Sequence, residues 1–314
     1  MKRLTRFAVM AVFCGCGFAF AQQRSSAPVL QRRAPGATTK TQATAVVNPA
    51  IWRVKGAHRT VYVFGSLQVM KPNVQWETAK IKAALDASDV VYLEAADIDD
   101  NAEQSMVQQL GMDEAHPLST KISKQDLALL DAAAKRMGMP DEKMFEPMQP
   151  WMATNTLVLL LTVKAGYDPT GGIDTTLLAE SKGSQKQVMG FETMKDQIHM
   201  VADRPQRQQV RKLHRELMEM NKSAGELNKI VTAWEQGDVE AIAKMNRDEL
   251  AMKYPAEYKR MFVDRNRRFA ATLDGLLKDK ATGNVFVVVG VGHLAGPNSL
   301  LKMLQRDGYK VVRE

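Results

Sequence analysis

The sequence predicts an α/β fold: a mixed central sheet built from two repeated strand–Gly-x-x-(His/Gln)–helix–strand units and carrying two helical insertions. Three observations predict it. Short β-branched runs alternate with long stretches of helical spacing. One of those runs, Val285–Val289, is apolar throughout, as a parallel strand buried on both faces would be. A strand–Gly–turn–helix–strand unit also occurs twice, 225 residues apart.

The chain has 314 residues, 45% of them hydrophobic and 25% charged, which excludes disordered, collagen-like and disulfide-scaffold classes. Its net charge of +8 is uneven: seven Lys and Arg fall within residues 1–47 and no acid does, leaving 36 bases against 35 acids in the remainder. A nearly neutral body lacks the clustered excess of Lys and Arg that a nucleic-acid partner requires.

Met1–Arg6 is a basic stretch, Phe7–Phe18 is a short apolar run, and Ala19-Phe20-Ala21 has the small-x-small pattern of a signal-peptidase site. Residues 1–21 therefore read as a signal peptide of an exported, periplasmic or secreted protein. The run is too short for a permanent membrane span, and no later stretch is long enough. Both cysteines, Cys14 and Cys16, lie in this segment. Lipidation at Cys16 is disfavoured by Phe13 in the processing box. Residues 22–47, rich in Ala, Thr, Gln, Ser and Pro without an aromatic residue, read as a linker. The folded domain is expected over 48–314.

Within it, Ile51–Val54 and Thr60–Phe64 read as a hairpin, Trp76–Ala87 as a helix and Asp89–Leu93 as a third strand. Residues 101–165 look helical, with Trp151–Val163 apolar enough to require burial. A helix over Thr175–Ser181 and a strand over Gln187–Phe191 follow. Residues 195–280 are again helical, with Arg204–Arg215 reading as a solvated face of mixed charge. Val285–Val289, a helix over Asn298–Arg306 and a strand over Tyr309–Val312 complete the chain. In the repeat, Gly65-Ser66-Leu67-Gln68 before Pro72-Asn73 matches Gly290-Val291-Gly292-His293 before Pro297-Asn298.

Sites in open α/β sheets form at the carboxyl ends of strands. Gln68, Glu94, Glu192 and His293 all stand there, with Asp97 and Asp174 in corresponding loops. Two carboxylates, an imidazole and an amide converging on one point would suit a divalent Mn, Co or Zn ion, which could lower the pKa of a bound water. Each residue also has an ordinary structural role open to it. His293 can be a hydrogen-bonded core histidine, and Glu94 and Glu192 can cap or salt-bridge helices. Arg265 can pair with Asp264 or a core carboxylate, or can grip a ligand's carboxylate or phosphate together with Asn266 and His293. His116, His199 and His214 lack ligand-spaced partners and read as structural or surface groups.

Gly65–Gln68, Val91–Glu94, Gly172-Ile173-Asp174, Gly190–Thr193 with Gln197, Arg265-Asn266 and Gly290–His293 together resemble the TraB/GumN family over residues 50–314. That family is related to the Tiki-type metalloproteases and the erythromycin-esterase/ChaN-like group. The resemblance implies metal-dependent hydrolysis of a peptide or related amide or ester bond. It implies Glu94, Glu192 and His293 as catalytic groups, Gln68 with those three as metal ligands, and Arg265, Asn266 and Asp174 as substrate-binding residues. The first motif departs from the family pattern: Gln68 stands where a histidine is expected, and its amide oxygen is a weaker ligand and no base. The alternative is therefore a non-catalytic periplasmic protein that binds a peptide or small molecule on the same fold.

Overall fold

The computed structural model describes residues 47–314 apart from Asn73, Ile98, Asp99 and Gln185. The expected signal peptide, almost all of the expected linker and the Asn73 half of the repeated Pro-Asn pair lie outside the described residues.

The hairpin forms as β1 (Ile51–Lys55) and β2 (Thr60–Ser66), antiparallel with Ile51 opposite Phe64. Then come α1 (Ala79–Asp86), β3 (Ser88–Ala95), α2 (Asp100–Gly111), α3 (Lys124–Arg136), α4 (Pro150–Lys164), α5 (Ile173–Gly183) and β4 (Gln187–Glu192). A helical run follows: α6 (Met194–Ala202), α7 (Gln206–Glu235), α8 (Val239–Asn246), α9 (Pro255–Tyr258) and α10 (Asp264–Lys278). β5 (Asn284–Gly290), α11 (Leu300–Arg306) and β6 (Val311–Arg313) end the chain. The sheet order is β4-β3-β5-β2-β1-β6, with β4, β3, β5 and β2 mutually parallel and β1 antiparallel to both its neighbours. The fold is thus mixed α/β.

Side-chain alternation along the strands divides the sheet into two buried faces. Phe64, Val91, Leu93, Phe286 and Val288 pack with α1, α5 and the end of α7. Val61, Val63, Tyr92, Val285, Val287 and Val289 pack with α10 and α11. A separate apolar cluster joins α3, α4, α6 and the first half of α7. The apolar stripe of α4 needs that cluster: Trp151, Ala153 and Leu157 are buried, whereas Val163 at its end is 49% exposed.

The two halves of the repeat lie side by side, since β2 and β5 are parallel neighbours, but they are not equivalent beyond the strands. Val61 stands opposite Val285, so the register is one residue short of the repeat spacing. In a strand such a slip exchanges faces. After β5 the chain turns at once through a 3₁₀ turn, Val291–Leu294. After β2 it bends at Gln68 and runs on to Met70, which bridges Asp168 through a pair of backbone hydrogen bonds.

Candidate functional site

Glu94 lies one residue from the end of β3, and Glu192 is the last residue of the adjacent parallel strand β4, so the sheet brings the two carboxylates together. α10 starts above them and presents Arg265 and Asn266 in its first turn. The 3₁₀ turn after β5 folds His293 back onto the same point. Gly292 permits this closeness, because a Cβ there would sit 2.7 Å from the Phe262 ring, which packs on the imidazole at 5.1 Å between centroids.

Arg265 occupies the centre. Its Nη2 donates to Glu94 Oε2 and, at 2.5 Å, to Glu192 Oε1, and its Nε donates to Glu192 Oε2 at 3.1 Å. Nη1 donates to the Met261 carbonyl at 3.2 Å and faces His293 Nε2 at 2.9 Å. A guanidinium has five N–H donors and no acceptor, so all five are spent inside the fold. The side chain is 1% exposed.

The histidine tautomer follows from the same inventory. Arg265 can only donate, so Nε2 of His293 accepts, Nδ1 carries the proton, and Nδ1 donates to Asn266 Oδ1 at 2.6 Å. The Asn266 amide in turn donates to the carbonyls of Asn298 at 2.8 Å and His293 at 3.4 Å. Complete burial, and then the neighbouring Arg265 charge, hold the imidazole well below its ordinary pKa, so it is neutral. Glu94 is equally committed. Its Oε1 accepts the Gly290 backbone N–H at 2.7 Å, and Gln197 Nε2 donates to Glu192 Oε1 at 2.9 Å and to Glu94 Oε2 at 3.4 Å.

This donor set does not fit a metal ion. A guanidinium stands between the carboxylates, and a divalent cation would meet its charge and compete for the same oxygens and for the Nε2 lone pair. Among the described residues, no three His, Cys, Asp or Glu side chains are arranged to hold a metal ion. Of the four residues expected to hold a Mn, Co or Zn ion, Glu94, Glu192 and His293 meet around Arg265, whereas Gln68 stands apart against Gly172. The expectation that Arg265 grips a ligand's anion is corrected for the same reason, since no N–H is left over; of its two open pairings, the core carboxylates hold it, while Asp264 pairs with Lys259 and Arg267.

Gln68 does not stand as the counterpart of His293. It is half-buried on the strap beyond β2, with its carbonyl against Gly172, where a Cβ would come within 2.6 Å. That packing, with Ile173 N–H donating to the Leu67 carbonyl at 3.0 Å, seats the start of α5 and places Asp174 beside the strand ends. Ser66 Oγ donates to Asp174 Oδ1 at 2.8 Å, while Oδ2 is buried and accepts no hydrogen bond. Burial first, and then the nearby Glu94 charge, push the Asp174 carboxyl up to about 7. Asp97 accepts the Met194 N–H at 2.9 Å and so serves the start of α6. Ser66 and the Met261 carbonyl were not foreseen. Ser66 lies inside the repeated motif, where its hydroxyl was the available signal, whereas nothing in the sequence singles out a backbone carbonyl.

The family model of the TraB/PrgY/gumN family matches residues 50–313. No curated protein and no solved structure matches the chain.

Proposed function

The chain belongs to the TraB/PrgY/gumN family, and from that premise we propose that it is a non-catalytic ligand-binding or regulatory protein, with its Glu94–Arg265–Glu192–His293 cluster acting as a structural pin. The observation that carries this reading is the saturated Arg265 guanidinium, which takes up the Nε2 lone pair of His293, both oxygens of Glu192 and Oε2 of Glu94. The groups left for a ligand are on the α5 side, at Asp174 and Ser66 with the Gln68 strap beside them. A carboxyl that ionises near neutrality suits a neutral hydrogen-bonding group such as a peptide amide.

Elemental analysis of the chain purified without chelators tests this reading, with His293→Ala and Gln68→His analysed beside it. No stoichiometric transition metal is expected in any of the three. An ion present in the wild type and lost in His293→Ala would overturn the proposal and restore metal-dependent hydrolysis.

One observation favours a second reading, hydrolysis of an amide or ester bond. A carboxyl ionising near pH 7 beside a hydroxyl is poised for proton transfer. Turnover of labelled peptides or aryl esters that Asp174→Asn abolishes, with its melting temperature intact, would establish it. Export follows from the Met1–Ala21 pattern and is checked by N-terminal sequencing, which should find Gln22 first in the mature chain.

A further inference from the structure

Within Arg204–Arg215, expected to be a solvated face, Arg207, Arg211 and His214 are exposed, but Arg204, Lys212 and Arg215 are built into a second buried ionic cluster. Arg204 is 6% exposed, and its Nη1 donates to Glu257 Oε1 on α9 at 3.1 Å. Arg215 reaches Glu257 Oε2 through both terminal nitrogens at 3.4 Å and lies over the Tyr254 ring at 4.3 Å. Lys212 Nζ stands 4.0 Å from Glu257 Oε1. Glu216, one helical turn after Lys212, is completely buried, and neither carboxyl oxygen accepts a hydrogen bond; its nearest cation, Arg215 Nη2, is 3.9 Å away. Glu219 follows at i+3 on the same face of α7 and is half-buried, so a fully buried and a half-buried carboxyl stand side by side.

The cluster abuts the strand-end site through one residue. Arg204 Nη2 donates to Met261 Sδ at 3.4 Å, and the Met261 carbonyl accepts from Arg265. Met261 lies in a π-helical segment, Lys259–Val263, and another, Arg247–Ala251, lies on the far side of α9. A π turn carries one extra residue and occurs mostly as a single-turn bulge at functional sites, so it is a place in a helix where a one-residue shift can be absorbed.

We propose that the Glu216–Glu219 face of α7 is a proton-operated switch that acts on the strand-end site through the π-helical segment Lys259–Val263. The groups facing the pair are Lys212 and Arg215 of α7, Glu249 and Lys253 of the chain between α8 and α9, and Glu257 of α9. Burial first, and then Glu216, push Glu219 up to about 7, and burial raises Glu216 against the pull of Lys212 and Arg215. Burial likewise acts on Glu257, but Lys212, Arg215 and Arg204 outweigh it and leave that carboxylate ionised, at about 2. Above neutrality Arg215 is shared among three carboxylates. Below it Glu219 is protonated, Arg215 returns to Glu257, and the Arg204–Glu257 end of α9 tightens beside Met261. The switch operates whether the site binds or hydrolyses its ligand.

NMR titration of the His293 ring and Arg265 Nε resonances from pH 5.5 to 8.5 tests it. Both should shift in the wild type with a midpoint near 7, matching the Glu219 side-chain carboxyl carbon followed in the same samples. Glu219→Gln should abolish that shared midpoint, and Asp174→Asn, which removes the other group titrating there, should leave it. A site midpoint unchanged in Glu219→Gln, or lost in Asp174→Asn, overturns the proposal, as does a wild type whose site resonances do not move. If Glu219→Gln does not fold, disagreement between the wild-type carboxyl and site midpoints overturns it instead.

Discussion

Two buried ionic clusters lie on either side of Met261, and they are satisfied in opposite ways. At the strand ends, two carboxylates, a guanidinium, an imidazole and two amides hydrogen-bond one another and the backbone of Met261, Gly290 and Asn298. On α7, Glu216 is buried just as deeply, yet neither of its oxygens accepts a hydrogen bond. The difference lies in geometry rather than composition. A planar five-donor fork at the mouth of a parallel sheet meets carboxylates held by rigid strands. The α7 carboxyls stand on one helix at fixed spacing, and the cation nearest Glu216, Arg215 Nη2, stays 3.9 Å away, beyond hydrogen-bond distance. A saturated network resists change, and an unsaturated one responds to protons and ligands.

The largest expected effect comes from removing the fork. Arg265→Met should cost about 3–5 kcal/mol in denaturant unfolding, because it leaves Glu94 and Glu192 buried without a buried counter-charge. A loss under about 1 kcal/mol would mean that the strand ends are hydrated rather than dry.

The reverse sign is expected on α7. Glu216→Gln keeps the shape and removes a buried charge without hydrogen bonds, so it should raise stability by about 1–3 kcal/mol at pH 8 and by less at pH 5. Destabilisation at both pH values would show that the carboxylate is satisfied after all.

The pH dependence of stability sharpens the contrast further. Asp174 and Glu219 have folded pKa values of about 7, above their unfolded ones. The native state therefore binds more protons than the unfolded state between about pH 4 and 7, and these two groups make stability fall as pH rises through that window. His293 works the other way: its depressed folded pKa makes stability fall as pH drops below 6.5. Chemical denaturation between pH 5 and 7 should show the wild type losing stability with rising pH. An Asp174→Asn, Glu219→Gln double variant should lose that decline, and an identical slope in both chains would refute the assignment.

The smallest effect is expected at Arg268. It approaches Glu192 Oε2 at 3.5 Å from a 60% exposed position, so Arg268→Ala should change stability by about 1 kcal/mol or less. The same carboxylate thus has one buried and one exposed arginine, and only the buried one is expected to matter.

Much of the α/β architecture was legible in the residues. The hairpin, the apolar β5 and the amphipathic helices each carry their own periodicity, and periodicity is a local property. The approach of Glu94, Glu192, Arg265, Asn266 and His293 was also within reach, because strand ends and a repeated glycine turn mark the same edge of a sheet. The equivalence of Gln68 and His293 was not decided by their matching motifs. The Met70–Asp168 bridge and the packing of Gly172 draw one copy outward, while the 3₁₀ turn folds the other inward, and both depend on partners distant in sequence. The charges of Arg204, Lys212 and Arg215 were visible in composition but not their burial, which the docking of α9 onto α7 decides. The sequence by itself determined which segments are strands and helices and which polar residues stand at their ends, since those follow from spacing along the chain. Only the tertiary structure decided that an arginine takes the centre that the carboxylates surround, because the donor that reaches a buried acid first is settled by three-dimensional distance.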